Sequence, residues 1–135
     1  MRAQAVPSDS LAEWIPKIGA ELQSFADCGE WYAEDFISQL YSEDRQLWLA
    51  ISDDEEIKGV VLTSIAADRR NTLHITHGAG TGFREWVYLA TYIFDWGRDM
   101  GCKTVEVTCR PGWERFLKNL GLKKTHVVME ASLDG

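Results

Sequence analysis

Three short strand-like segments follow one another through the middle of the chain, and the second is rich in β-branched residues. They cover Leu47–Ser52, Ile57–Ala66 and Thr72–His77, and only four or five mostly polar residues separate each from the next. Val, Ile and Thr favour strands, and connections this short join antiparallel neighbours. The sequence therefore predicts an antiparallel β-meander, which every other element must pack against.

The elements around the meander are predicted from the spacing of apolar residues and from glycine and proline. A short turn near Ser10–Ile15 precedes them. The predicted helices are Pro16–Asp27, Glu34–Tyr41, Arg84–Met100 and Trp113–Asn119, and the further strands are Thr104–Cys109 and Thr125–Leu133. The fold class is thus mixed α/β (α+β), with the meander followed by α-β-α-β, and the crossover from the third strand to the fourth should be parallel and right-handed.

Length and composition limit the class of protein. The 135 residues fit one domain, 1–135. No apolar run is long enough to cross a membrane and the N-terminus has no signal-peptide core, so we expect a cytoplasmic protein with no membrane partner. The three cysteines lack Cys-x-x-Cys spacing, and no metal site is expected.

Charge is unevenly distributed along the chain. The net charge of −7 argues against nonspecific binding of nucleic acid. Residues 1–56 hold 13 acidic and 3 basic residues, a net of −10, whereas residues 97–126 hold 7 basic and 3 acidic residues, a net of +4. The basic segment is either a site for a phosphorylated cofactor or an ordinary solvated helix face.

A glycine cluster, Gly78-Ala79-Gly80-Thr81-Gly82, lies between the third predicted strand and the long helix. Glycines allow backbone N–H groups to converge, and the helix N-terminus adds partial positive charge, which together suit a phosphate group. A plain tight turn is the alternative. The Gly-Lys-Ser/Thr ending of a Walker loop is missing, and hairpin strands before the cluster argue against a Rossmann site.

With these motifs and this order of elements, nearly the whole chain resembles the GCN5-related N-acetyltransferase (GNAT) fold. His77-Gly78-Ala79-Gly80-Thr81-Gly82 is similar to that family's Arg/Gln-Gly-x-Gly-x-Gly/Ala loop. The segments Trp96–Lys103 and Arg115–Leu122 also resemble the corresponding segments of that family.

The resemblance implies an N-acyltransferase that moves an acetyl group from acetyl-CoA to an amine on a small molecule or a protein. Backbone amides of the glycine cluster would hold the cofactor pyrophosphate, and the acidic N-terminal segment would favour a cationic acceptor. The implied cofactor-binding residues are Gly78, Ala79, Gly80, Thr81, Gly82, Arg110, Arg115 and Lys118.

The chain departs from the family pattern at three positions. Arg110 stands in place of an asparagine, Trp113 in place of a small residue, and Leu117 in place of the tyrosine that often protonates the departing thiolate. These departures leave an alternative open. Short GNAT-like chains with an Arg-Pro-Gly-Trp turn resemble proteins of tailed bacteriophages and prophages, so the fold could be a non-catalytic interaction or virion-assembly module, located in host cytoplasm or virion.

Acyl transfer to an amine calls for a base, and the candidates are His74, His77 and Glu106. Strand alternation predicts that His74 and Thr76 share one face, while Leu73, Ile75 and His77 share the other. The alternatives are hydrogen-bonded structural histidines and a carboxylate held in an ion pair.

Overall fold

The computed structural model describes residues 1–29, 31–109 and 111–134. Five strands form one mixed sheet in the order β1-β2-β3-β4-β5. Neighbours from β1 to β4 are antiparallel, and β5 joins β4 in parallel. The meander and the parallel fourth predicted strand are therefore confirmed.

The strand bounds are β1 Arg2–Val6, β2 Gln46–Ile51, β3 Ile57–Ala66, β4 Thr72–Gly80 and β5 Thr104–Val107. The α-helices are α1 Leu11–Trp14, α2 Gly19–Asp27, α3 Ala33–Tyr41, α4 Phe83–Trp86, α5 Ala90–Asp99 and α6 Glu114–Lys118. Short 3₁₀ turns occupy Ser8–Ser10, Ile15–Lys17, Val87–Leu89 and Pro111–Trp113. Within the described residues, no helix has the length and apolarity needed to cross a membrane.

Helices cover both faces of the sheet. On one face, α1, α2 and α3 bury a large cluster that includes Leu22, Phe36 and Leu62. On the other face, α5 packs Ile93 against Trp48, Leu73 and Ile75. Burial on both faces explains why the central strands are nearly continuous apolar runs.

The N-terminal strand β1 was missed in the sequence prediction. It pairs with β2 from Arg2 opposite Ile51 to Val6 opposite Leu47. Only Val6 is fully buried, so the segment has little apolar alternation of its own. Its strand conformation comes from the open edge of β2, which it covers.

The predicted helix Arg84–Met100 is interrupted. It is divided into α4, the 3₁₀ turn Val87–Leu89 and α5. The break follows Trp86, whose indole N–H donates to the Thr81 carbonyl oxygen at 3.0 Å and whose ring covers Gly59. The apolar spacing thus predicted a helical segment here, but not the 3₁₀ turn that interrupts it.

The predicted last strand, Thr125–Leu133, was wrong. Residues 122–134 contain no strand, and Val128 and Met129 are 86% and 89% exposed. Two adjacent valines raise strand propensity, but propensity is realised only where a partner strand and a packing surface exist.

Candidate active site

Strands β4 and β5 pair over only the first part of β4. The two strands pair from Thr72 opposite Thr104 to Ile75 opposite Val107, and the last bond runs from the Thr108 N–H to the Ile75 carbonyl at 3.2 Å. Strand β4 then continues to Gly80 with β3 alone as its partner. We call the space beside β4 residues 76–80 the β4/β5 cleft.

A β-bulge at Thr76 sets the direction of the side chains at this point. On β3, Leu62 opposes His77 and Thr63 opposes Ile75, so Thr76 is the extra residue. A bulge breaks the alternation of a strand. The prediction that His77 shares a face with Leu73 and Ile75 was therefore wrong, because the His77 ring packs on the opposite face of the sheet.

His77 lies among aromatic rings from the helical layer. Its ring centroid is 4.9 Å from that of Phe36 and 5.2 Å from that of Phe25. Burial, together with the positive charge of Arg45, lowers the pKa of His77 to about 4. The imidazole is consequently neutral at neutral pH, with Nδ1 3.0 Å from the Thr76 hydroxyl.

Arg45 reaches the same point from the turn before β2. It donates from Nη1 to Thr76 Oγ1 at 2.7 Å and from Nε to the side-chain oxygen of Gln39, and its guanidinium stands 5.4 Å from the Phe36 ring centroid. Partial burial lowers its pKa. No carboxylate pairs with Arg45 within the described part of the chain.

His74 and Glu106 are brought together across the β4/β5 ladder. They are opposed in register, and His74 Nδ1 lies 3.5 Å from Glu106 Oε2. The other carboxylate oxygen accepts a hydrogen bond from Arg70 Nη2 at 2.9 Å. A half-buried histidine with a fixed carboxylate neighbour can take up a proton and stabilise the resulting charge.

The glycine cluster is only partly a loop. Strand β4 includes Gly78, Ala79 and Gly80, and the Thr81 N–H donates to the Lys58 carbonyl at 2.9 Å. At Gly80, with φ +148°, a β-carbon would lie 2.1 Å from that same carbonyl oxygen. Close sheet packing therefore accounts for Gly80, where the sequence predicted a free loop.

The start of α4 carries a negative charge of its own. Gly82 caps α4 with φ +66°, and a β-carbon there would lie 3.4 Å from a Glu85 carboxylate oxygen. A carboxylate in the first turn satisfies the positive end of the helix. Any phosphate bound there must displace or share that position.

An aromatic cluster lines the cleft side that follows β5. The Trp113 ring stacks on Phe83 at 4.1 Å between centroids, and a β-carbon on Gly78 would lie 2.7 Å from it. Phe116 meets Phe83 edge to face at 5.6 Å. Trp113 therefore occupies the surface of β4 that the missing side chain of Gly78 leaves bare.

The predicted basic residues lie around this cluster. The Arg115 guanidinium is 4.8 Å from the Phe116 ring, with Arg84 at 5.8 Å from the same ring, and Lys118 Nζ is 3.6 Å from a Glu114 carboxylate oxygen. Arg110 lies outside the described residues. Leu117 is buried and offers no hydroxyl.

Sequence reasoning missed Arg45 and Thr76 as site residues. The bulge that aims Thr76 has no sequence signature here. Arg45 did carry a signal, because it is the only base between Lys17 and Lys58 in a strongly acidic segment and directly precedes a buried strand.

Comparison with known proteins identifies the architecture. No protein-family model matches the sequence, and no curated protein matches it significantly. Among solved structures, an aminoglycoside acetyltransferase from an uncultured soil metagenomic sample, in complex with sisomicin, aligns with a TM-score of 0.69 at 13% identity over 98% of this chain and 96% of its own. The chain has the GNAT fold.

Two further structures align equally completely. Aminoglycoside N-acetyltransferase AAC(6′)-Iy in complex with CoA gives a TM-score of 0.66 at 16% identity, covering 96% of this chain and 97% of that one. Ribosomal-protein-alanine N-acetyltransferase from Brucella melitensis gives 0.68 at 12% identity, covering 98% and 99%. At these identities the likeness establishes a general acetyltransferase fold.

Proposed function

We propose that the protein is an N-acyltransferase that transfers an acetyl group from acetyl-CoA to an amine. The observation that carries the proposal is the His74–Glu106 pair at the closed end of the β4/β5 cleft. A proton acceptor held by a carboxylate beside an opening in the sheet is what amine acylation requires.

Basic side chains beside the cleft support a cofactor that carries phosphate groups. Arg84 of α4 and Arg115 of α6 flank the Phe116 ring, and Lys118 lies on α6 with Arg115. At Gly78 the fit requires a rearrangement, since the Trp113 ring covers that part of β4. Residues 78–82, Arg115 and Lys118, with Arg110, remain the proposed binding set.

The chain's own residues would handle the amine proton. When bound, acetyl-CoA supplies the acetyl group as a thioester. His74 takes the proton that the amine releases, Glu106 stabilises the imidazolium, and Arg70 fixes the carboxylate orientation. Since Leu117 has no hydroxyl, a water molecule would return a proton to the leaving thiolate.

An assay of thiol release from acetyl-CoA against a panel of primary amines tests this role. His74→Asn and Glu106→Gln should lower the rate by about 10²–10³-fold and about tenfold respectively. The matched control is His126→Asn, whose ring is exposed in the C-terminal tail. Equal rates in wild type, His74→Asn and His126→Asn would refute a base at His74.

The Trp113 contact favours a second candidate, a non-catalytic module on the same fold. Trp113 against Gly78 and Phe83, together with buried Leu117, would make a permanently filled cleft. The proposed partners are then proteins, including those of a phage particle as the Arg-Pro-Gly-Trp turn suggested. This candidate predicts no acetyl-CoA binding by wild type or by Trp113→Ala.

A further inference from the structure

Among the residues that the structure describes, no carboxylate forms an ion pair with the Arg45 cation beside the cleft. Arg45 is half-buried, and its hydrogen bonds go to two neutral oxygens, those of Gln39 and Thr76. The two carboxylates that directly precede Arg45 in the chain have other partners: Glu43 accepts from the Ser8 hydroxyl, and Asp44 from the Ser42 hydroxyl. Buried guanidinium groups normally pair with a carboxylate or a phosphate, because burying an unpaired charge costs free energy.

The position of Arg45 connects it to the proposed reaction. Its Nη1 hydrogen-bonds Thr76, two positions along β4 from His74. Two strand positions span about 6.5–7 Å. A molecule with an amine at His74 could therefore place an anionic group at Arg45.

We infer that Arg45 binds a carboxylate of the acceptor, so that the substrate class is amines that also carry a carboxylate. The inference rests on the proposed function for the amine end, but the anion site stands on Arg45 itself. The Arg45 guanidinium donates to Gln39 and Thr76 and lies beside the Phe36 ring. A guanidinium has five N–H donors, so others are left for a carboxylate that accepts two hydrogen bonds. This differs from the cationic acceptor expected from the acidic N-terminal composition.

Three of the thirteen acidic residues that suggested a cationic acceptor form ion pairs away from Arg45. Asp53 pairs with the N-terminal ammonium, Glu55 with Arg2, and Glu56 with Lys58, all in or beside the turn between β2 and β3. That turn is at the end of the sheet where Gly59 opposes Gly80, whereas Arg45 precedes the opposite end of β2. The charge that faces Thr76 and His77 is positive.

The decisive experiment compares acceptors of matched length. Glycine, 4-aminobutyrate and 6-aminohexanoate are each assayed beside an amine lacking the carboxylate: methylamine, propylamine and pentylamine. For at least one pair, wild type should prefer the carboxylate by at least about tenfold in kcat/KM, through KM. The length that gives the largest preference distinguishes an α-amino acid from a longer ω-amino acid. Equal use of every pair would overturn the inference.

Variants separate a binding role from a structural one. Arg45→Gln should abolish the carboxylate preference while leaving amine transfer measurable, and Arg45→Lys should retain part of it. The control is Arg98→Gln, which removes the same charge from an exposed pair with Asp95 on α5. If Arg45→Gln only lowers the unfolding temperature and keeps the preference, Arg45 is a structural link.

A binding measurement without acetyl-CoA keeps the two proposals apart. Adding 4-aminobutyrate, but not propylamine, should shift the backbone amide resonances of Thr76 and His77 in the wild-type protein. Such shifts without any acyl transfer would uphold the anion site and refute the proposed function. Equal acyl transfer to propylamine and 4-aminobutyrate, without these shifts, would support the proposed function and refute the anion site.

Discussion

The Gly80→Ala substitution tests whether the glycine cluster is built for sheet packing. Gly80 has φ +148°, and an added β-carbon would lie 2.1 Å from the Lys58 carbonyl oxygen and 2.7 Å from the Gly59 α-carbon. Both neighbours are backbone, so no flexible side chain can move aside. Backbone strain and overpacking each cost about 1–3 kcal/mol, and we expect a combined loss of about 2–4 kcal/mol of unfolding free energy.

Two other glycines provide the controls. Gly101 has φ +88° but nothing within 4 Å of an added β-carbon, so Gly101→Ala should pay the strain alone. Gly19 has neither feature, and Gly19→Ala at the start of α2 should be neutral or stabilising by up to about 1 kcal/mol. In thermal unfolding, the midpoint of Gly80→Ala should lie about 10 °C below that of wild type. A midpoint within 2 °C (about 0.5 kcal/mol) of Gly101→Ala would refute the packing argument.

Three further predictions concern the site and the tail. A histidine NMR titration should give His77 a pKa about 4, and because the folded state disfavours the proton, stability should fall as pH drops from about 6.5 towards 4; His77→Gln should lose this dependence. Trp113→Ala should lower the unfolding free energy by about 1–2 kcal/mol through its lost stacking and burial, while acetyl-CoA, if it enters the cleft, should bind more tightly. Removing residues 125–135 should leave the midpoint within about 2 °C, since the described residues 125–134 are exposed and form no strand; a loss above 5 °C (about 1 kcal/mol or more) would show that the tail packs.

The meander and the parallel β5 could be predicted because local signals agreed with the final structure. Strands β2 and β3 are rich in β-branched and apolar residues, and a charged turn of four residues separates their predicted segments. A helix long enough to cross the sheet precedes β5, which requires a parallel return. Each element could be recognised without knowing its neighbours.

The sequence predictions were wrong where tertiary contacts, and not local sequence, determine the conformation. Strand β1 has one buried residue and exists because β2 needs a partner, whereas residues 125–133 have strand propensity and no partner. The bulge at Thr76 reverses the face of His77, and nothing in Thr-His-Gly encodes it. The glycines that were interpreted as a phosphate site are needed for packing: Gly80 lies against the Lys58 carbonyl, and Gly78 lies against the Trp113 ring.

The candidate site was predictable in part for the same reason. Opposed positions on β4 and β5 brought His74 to Glu106, as neighbouring strands allow. Arg45 comes from the turn before β2 and crosses to β4, a contact between residues 31 positions apart that no local pattern reports.

The most direct test of an acyltransferase is thermal unfolding with and without acetyl-CoA. At about 100 times its dissociation constant, a ligand adds about 2.7 kcal/mol of stability, which for this size raises the midpoint by about 8–12 °C. The proposed function predicts such a rise in wild type, with CoA and acetyl-CoA both effective and pantetheine much weaker. No rise at millimolar acetyl-CoA, in wild type and in Trp113→Ala alike, would contradict it and leave the non-catalytic module.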